Sequence, residues 1–264
     1  MPPIFVSGTS GFIGFHLSER LGSEFQQVDP RENIDYDMLS KGKKSTFIHL
    51  SGPSNKEEDA ERKIIEVTNK IFSGVESCPW IDIIMASSIR VFGQGGKIQK
   101  NDSPIPNDGY GRGKKYAEDL FNSLDDGRSV DILRISNVQG IEKNGNARGV
   151  AGILCSQAVR GRITINGEGN SMKDIIHVTE VIDYIAWILE NKISGNRFHP
   201  VGGNNITLNH LAELISSKTG AKIDNILEDP NDHSAWFERE YSNSIFNRNF
   251  IKIEDIVDEL LLKI

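Results

Sequence analysis

The chain has 264 residues, 38% hydrophobic and 25% charged, an ordinary globular composition and long enough to bury a substantial core. Its formal net charge of -7 argues against a nucleic-acid surface, which carries a basic excess. No apolar run reaches the roughly 18 residues of a membrane span, and Met1-Pro2-Pro3-Ile4-Phe5-Val6 lacks the basic start of a signal peptide. The expected compartment is the cytoplasm, with no membrane and no nucleic acid among the partners. Cys78 and Cys155 lie in apolar contexts and read as buried free thiols.

Ile4-Phe5-Val6 reads as a short buried strand, and Phe12, Ile13, Leu17 and Leu21 follow at helical spacing. Strands are predicted at Gln26–Asp29 and Ser45–Leu50. A helix is predicted from about Glu57 to Glu76, a strand at Ile81–Ala86, a helix from near Tyr110 and a strand at Val130–Ile135. This alternation implies a doubly wound parallel sheet with helices on both faces. Beyond Ile135 the pattern loosens. Gly140–Gly149 reads as a loop, followed by a helix near Val150–Val159, a strand at Ile163–Ile165 and a helix at Val178–Leu189. A short strand at Phe198–Val201 and amphipathic helices at Leu208–Ser217 and Ile253–Leu262 complete the chain. These late elements are too few for an independent large domain and are expected to cap the C-terminal edge of the sheet, where ligands of such folds bind.

The turn Gly8-Thr9-Ser10-Gly11-Phe12-Ile13-Gly14 joins the first strand to the first helix. Its first glycine permits a tight turn, its second lets backbone N–H groups approach a pyrophosphate, and its third lets helix and strand pack closely. A glycine-rich turn alone is weak evidence. This one has the strand, the helix and an acidic residue, Asp29, 21 positions after Gly8. A carboxylate there accepts hydrogen bonds from adenosine ribose hydroxyls and repels a 2′-phosphate, which favours NAD over NADP. Arg31, two residues on, softens that preference.

Tyr110 and Lys114 are four apart and share a helix face. A tyrosine hydroxyl, with a pKa of about 10, is a poor base at neutral pH. A neighbouring ammonium and a nicotinamide ring would favour the tyrosinate. Ser87 and Ser88 follow the strand ending at Ala86, so one of them can reach the reacting oxygen. The Tyr–Lys spacing occurs by chance in many helices. It becomes specific when joined to the glycine turn and the serine pair in this chain order.

At this point the chain resembles the extended short-chain dehydrogenase/reductase family, within it the NAD-dependent nucleotide-sugar epimerase/dehydratase group. The resemblance covers nearly the whole chain. It is carried by the turn 8–14, Phe47-Ile48-His49-Leu50, Ala86–Gly93, Tyr110–Glu118, Leu133–Val138, Gly167-Glu168-Gly169, Lys173–Val178 and Val201-Gly202-Gly203. It implies a Rossmann-type α/β fold with a small C-terminal α/β substrate-binding lobe. The NAD-binding domain would span 1–137 plus 176–202, and the lobe 138–175 plus 203–264. It places the catalytic group on Ser88, Tyr110 and Lys114. It implies cofactor contacts at Gly8, Ser10, Gly11, Phe12, Ile13, Gly14, Asp29, Arg31, Asp35, Leu50, Ser51, Gly52, Asn137 and Val138, with Tyr110 and Lys114. The substrate would meet Ser88, Ile89, Arg90, Asn137, Arg148 and Lys173, although Arg90 and Arg148 each also read as ordinary surface arginines. The partner it implies is a nucleotide sugar, and the family forms dimers through a helix pair, here 57–76 and 110–122. Trp236-Phe237 with Asp232 and His233 would close over the ligand or form a subunit contact. His177 and His199 read as structural, because no metal-type spacing surrounds them.

Several departures from the family pattern stand out. Only a short stretch separates Asp29 from Asp35, where relatives carry a helix. Ser51-Gly52 replaces an alanine pair. Gly113 replaces Ser or Ala and is expected to loosen its helix by about 1 kcal/mol. Lys173 replaces an Arg and loses the bidentate fork. The positions after Ser88, where dehydratases carry acids, are Ile89 and Arg90, which argues against dehydration. Two redox readings remain: a 4-epimerase with permanently bound NAD, and an NAD(P)H-dependent reductase of 4-keto-sugars. A third, a non-catalytic dinucleotide-binding regulator, sits poorly with an intact Ser–Tyr–Lys set.

Overall fold

The structure, a computed structural model, describes residues 2–32, 35–36, 40–53, 59–93, 95–191, 197–226, 234–246 and 249–264. The elements in chain order begin with β1 (Ile4–Ser7), α1 (Phe12–Leu21), β2 (Phe25–Val28), β3 (Ser45–His49), α2 (Ala60–Val75) and β4 (Ile81–Ser88). A 3-10 turn at Ile89–Phe92, β5 (Gly96–Ile98), α3 (Gly109–Asn122), β6 (Val130–Ile135), β7 (Asn137–Ile141), β8 (Ala147–Arg148) and α4 (Gly149–Ala158) follow. Then come β9 (Arg162–Asn166), β10 (Met172–His177), α5 (Val178–Asn191), β11 (Arg197–Val201), β12 (Asn204–Thr207) and α6 (Leu208–Thr219). The series closes with β13 (Lys222–Ile226), β14 (Ala235–Phe237), α7 (Arg239–Ile245) and α8 (Ile253–Lys263). The chain divides into two compact units, one of residues 1–93, 103–134 and 182–199, the other of 94–102, 135–181 and 200–264.

In the first unit the strand order is β11-β6-β4-β3-β1-β2. The pairs β1–β2, β1–β3 and β3–β4 are parallel. The residues of β1 and β6 are buried along their whole length, as expected for strands covered on both faces. Helix α2 buries Ala60, Ile64, Thr68, Ile71 and Val75, a single face at spacings of three and four. Its last carbonyls are met by a buried arginine: Arg128 donates to Val75 O at 2.8 Å and to Glu76 O at 3.0 Å. A cation there complements the negative end of the helix. Phe47, Ile71, Ile83, Phe121 and Ile132 form the centre of the core. Because β1 lies between β3 and β2, the chain leaves it in opposite directions on its two sides. The ends of β1 and β3 therefore flank a crevice of the kind that binds ligands in open α/β sheets.

The second unit is built on β10, which pairs parallel with β7 and β14 and antiparallel with β12. A separate parallel pair joins β13 to β9. Its own core gathers Ile163, Ile165, Ile175, Leu211, Ile215, Ile256, Val257 and Leu260. Helix α5 is held at its start by Glu180 in its first turn, which accepts from the His177 N–H at 2.9 Å, while its other oxygen accepts from Ile251 N–H at 2.7 Å.

Two local expectations change. The segment 140–149 is not a simple loop: β7 and β8 pair antiparallel, with Gly140 opposite Arg148, and Gly145 supplies the positive φ of the turn after Asn144. Strand β4 runs on to Ser88 instead of stopping at Ala86, and both serine hydroxyls find partners there. The start of the helix expected from Glu57 lies outside the described residues, as do Asp232 and His233. Trp236 and Phe237 belong to β14. Cys78 and Cys155 are buried thiols outside any disulfide. Among the described residues no helix is long and apolar enough to cross a membrane, and no group of side chains could hold a metal ion.

Candidate active site

The glycine turn closes against the end of β3. Gly8 has φ +79, and a Cβ there would lie 2.7 Å from both Leu50 C and Ser51 N. A Cβ on Gly14 would overlap the Gly8 carbonyl oxygen, whereas one on Gly11 would stand 3.2 Å from that oxygen. Gly11 N–H donates to the same oxygen at 3.0 Å. Helix α1 begins at Phe12 with no side-chain cap and no acidic residue in its first turn. Its N-terminal N–H groups and the positive end of its dipole therefore stand ready for an anion. Ser10 and Gly11 are exposed, and Phe12 and Ile13 half-buried.

Asp29 directly follows β2. Arg31 donates to it from its backbone N–H at 2.9 Å, from Nε at 2.9 and 3.1 Å and from Nη2 at 2.6 Å. These bonds hold the Asp29 carboxyl down to about 2. Arg31 itself is 87% exposed. Asp35 is exposed, next to Tyr36, which is buried against Gly74.

Helix α3 carries the catalytic candidates. Asp108 caps it, accepting from Gly111 N–H at 2.7 Å, and also holds Arg90 through Nε at 2.9 Å and Nη2 at 2.5 Å. Arg90 thus clamps the 3-10 turn to the start of α3. Gly111 and Gly113 are close-approach positions: a Cβ on Gly111 would lie 2.5 Å from Arg90 O, and one on Gly113 would lie 3.0 Å from Ile64 Cβ. Gly113 is therefore the residue that lets α2 and α3 pack, a reason that helix propensity alone does not show. Tyr110 and Lys114 share the face expected from their spacing, with Lys114 Nζ 5.8 Å from the centroid of the Tyr110 ring. Lys114 is only 7% exposed and donates to Ala86 O at 2.9 Å. Burial lowers it to about 8, with Glu118 acting in the opposite sense. A Cβ on Gly52 would lie 3.9 Å from the same Nζ, which brings the end of β3 to the lysine.

The two serines separate by role. Ser87 Oγ donates to Glu118 Oε1 at 2.5 Å, whereas Ser88 Oγ accepts from Arg90 N–H at 3.2 Å and keeps its own proton to donate. Glu118, four residues after Lys114, is 1% exposed and pairs with Arg134 through bonds of 3.1 and 2.8 Å. This buried pair was not singled out from the sequence. The available signal was the continuation of the four-residue spacing from Tyr110 through Lys114 to Glu118. His49, at the end of β3, lies 3.2 Å from Ser7 Oγ, and burial pushes it down to about 3, so it is neutral.

The remaining candidates lie in the second unit. Asn137 Nδ2 donates to Asp174 O at 3.0 Å, and Val138 stands opposite Ile176. Lys173 is half-buried on β10, and Arg148 pairs with Glu142 at 2.6 Å. Asp174 accepts from Gly203 N–H at 2.6 Å and Phe237 N–H at 3.2 Å, and burial pushes its carboxyl up to about 7.

A family model described as Epimerase, the NAD dependent epimerase/dehydratase family, matches residues 4–201. The chain belongs to this family. Among its relatives is UDP-glucuronic acid decarboxylase 1 of Danio rerio, 24% identical over 83% of this chain and 61% of that protein. The present epimerase/dehydratase family member thus spans less than two thirds of that relative's length. The solved UDP-glucuronic acid 4-epimerase from Bacillus cereus, in complex with UDP-glucuronic acid and NAD, superposes with a TM-score of 0.82 at 20% identity, covering 99% of this chain and 98% of that one. TunA, an NAD-dependent NDP-hexosamine 5,6-dehydratase of tunicamycin biosynthesis, gives 0.84 at 18% identity, covering 98% and 96%. At such identities the likeness establishes the Rossmann-type fold.

Proposed function

We propose that this chain is an NAD-dependent nucleotide-sugar 4-epimerase working by transient oxidation to a keto-sugar, with Tyr110 as general base and Lys114 and Ser88 as its support. The observation that carries the reading is the buried ammonium of Lys114 one turn from the Tyr110 ring, beside the end of β4 that presents Ser88. The names of the relatives point to UDP-glucuronic acid and UDP-glucose as the first substrates to try.

The residues present fit a dinucleotide. Side chains are excluded at Gly8 and Gly14, leaving backbone N–H groups at the start of α1 for a pyrophosphate. Asp29 would take the adenosine ribose, with Arg31 and Asp35 nearby in sequence, Leu50, Ser51 and Gly52 would line the site, and Lys114 would reach the nicotinamide ribose. When bound, NAD supplies a reversible hydride acceptor. The chain's own residues manage the proton. Tyr110 Oη takes it from the sugar 4-hydroxyl and later returns it, Ser88 Oγ donates to the same oxygen, and Lys114 stabilises the tyrosinate. Asn137, Val138, Arg148 and Lys173 are carried forward as further ligand contacts. Ile89 and Arg90 offer no acid for loss of water, and Arg90 is engaged by Asp108.

A reductase of nucleotide-linked 4-keto-sugars is the second reading. It is favoured by the exposed Arg31 beside Asp29, a cation suited to the 2′-phosphate of NADPH. The deciding experiment incubates the protein with UDP-glucuronic acid or UDP-glucose without added reductant and follows the C4 proton by NMR. Appearance of the C4 epimer, abolished in Tyr110→Phe, is expected. Consumption of NADPH by a 4-keto-sugar without any epimerisation would transfer the assignment to the reductase.

A further inference from the structure

The face of α3 that holds Tyr110 and Lys114 continues to a third polar residue one turn on. Glu118 has almost no exposed surface, yet the proton chemistry proposed above does not use it. It accepts from Ser87 Oγ at 2.5 Å and from Arg134 Nε and Nη2 at 3.1 and 2.8 Å. The Arg134 guanidinium lies between two rings, 5.0 Å from the Phe92 centroid and 4.3 Å from that of Phe198. An ion pair so enclosed stays only where its geometry is held on all sides, since desolvating both charges is costly. Its attachment is also specific. Ser87 lies between Ala86, whose carbonyl accepts from Lys114, and Ser88. Through Ser87, Glu118 therefore ties to helix α3 the strand segment that carries both the Ala86 carbonyl met by the lysine and Ser88.

We propose that Glu118, held by Ser87 and Arg134, is a positioning residue: it fixes the end of β4 against α3, and with it the Ala86 carbonyl that holds the Lys114 ammonium facing Tyr110. This rests on the reading of Tyr110 and Lys114 as the catalytic pair. Among the described residues, the titratable groups that bear on Lys114 are Tyr110 and Glu118 from its own helix and neutral His49 from β3, while β4 contributes the Ala86 carbonyl and Arg134 of β6 acts through Glu118. Of these, Glu118 is the one whose charge opposes the effect of burial on the lysine. Without it, the ammonium would be left in an apolar setting with a carbonyl as its hydrogen-bond acceptor and an unpaired arginine close by.

The test is a titration of the lysine side chains by 13C NMR on the whole protein, with the Lys114 signal assigned by its loss in Lys114→Met. The variants are Glu118→Gln, which keeps the shape and removes the charge, and the neutral pair Glu118→Gln with Arg134→Met, which leaves no unpaired ion should the single variant fail to fold. Lys114 is expected to titrate near 8 in the parent protein, about tenfold more acidic in Glu118→Gln, and between the two in the double variant. A merely structural Glu118 would leave the midpoint unmoved in whichever variant folds, and that result overturns the proposal. Turnover of Lys114→Met and Tyr110→Phe, measured separately, decides whether the pair is catalytic at all, so the two ideas fail on different measurements.

Discussion

Lys114 Nζ stands 5.8 Å from the centre of the Tyr110 ring while donating to Ala86 O at 2.9 Å, so one buried cation is shared between the strand end and the phenol. Its titration near 8 fixes two opposite consequences. The folded chain binds fewer protons than the unfolded chain between about 8 and the ordinary lysine value near 10.5, so stability rises with pH across that window. Below it, the buried ammonium costs about 3 kcal/mol. Turnover should fall above pH 8 as the ammonium is lost. Lys114→Met is therefore expected to lose at least about 100-fold in kcat while being no less stable than the parent at pH 7. Rate profiles and urea unfolding at two pH values check both halves.

Gly14 and Gly11 separate by one measurement. Gly14→Ala drives a methyl into the Gly8 carbonyl, and overpacking of this kind costs about 1–3 kcal/mol. Gly11→Ala meets the same oxygen at 3.2 Å and can be relieved by a small shift. Dinucleotide affinity by calorimetry is expected to disappear in the first variant and to weaken in the second. Equal binding in both would show that the turn does not hold the pyrophosphate.

Gly113 offers a test of packing against propensity. Alanine gains about 1 kcal/mol as a helix former, but its Cβ would lie 3.0 and 3.1 Å from Ile64 Cβ and Cδ1 and 3.2 Å from the Glu61 backbone. Packing is expected to win, so Gly113→Ala lowers the denaturation midpoint. Adding Ile64→Val should recover part of the loss.

What the sequence could and could not reveal follows from distance along the chain. The turn 8–14 and the pair Tyr110–Lys114 are local patterns, so spacing alone exposes them. Glu118 looks like any charge on a helix until Arg134 is known to stand beside it, 16 residues away on strand β6. Ser87 and Ser88 are equivalent in sequence and differ only through their partners, Glu118 for one and the Arg90 N–H for the other. Arg90 suggests a substrate contact from its place after β4, and its bonds to Asp108, 18 residues on, show only in the fold. The hairpin at 140–149 was hidden because glycine and asparagine mark tight strand connections as readily as open loops.

On the proposed reading, Asp29 and Arg31 would set the cofactor preference. Their bonds satisfy the carboxylate within the chain, and a ribose diol must compete with the guanidinium for it. Asp29→Ala should weaken NAD and release Arg31 toward a 2′-phosphate, shifting the NAD-to-NADP affinity ratio by at least about tenfold. Asp29→Ala with Arg31→Ala should lose that gain for NADP.

His49 makes the fold sensitive to acid. It is held neutral down to about 3, against 6.5 when unfolded, so the unfolded chain binds the extra proton between these values. Its contribution is complete above 6.5 and is lost as pH falls, by about 2 kcal/mol between pH 7 and 5. His49→Gln should remove that part of the slope in chemical denaturation. An identical slope in both proteins would assign it to other groups.

The most direct test of the central claim is to denature the purified protein and identify any dinucleotide released. Stoichiometric NAD is the expected result, since a 4-epimerase oxidises its substrate and then re-reduces the keto-sugar on a cofactor that never leaves. An empty protein that binds neither NAD, NADH nor NADPH when they are added would contradict the account at its root.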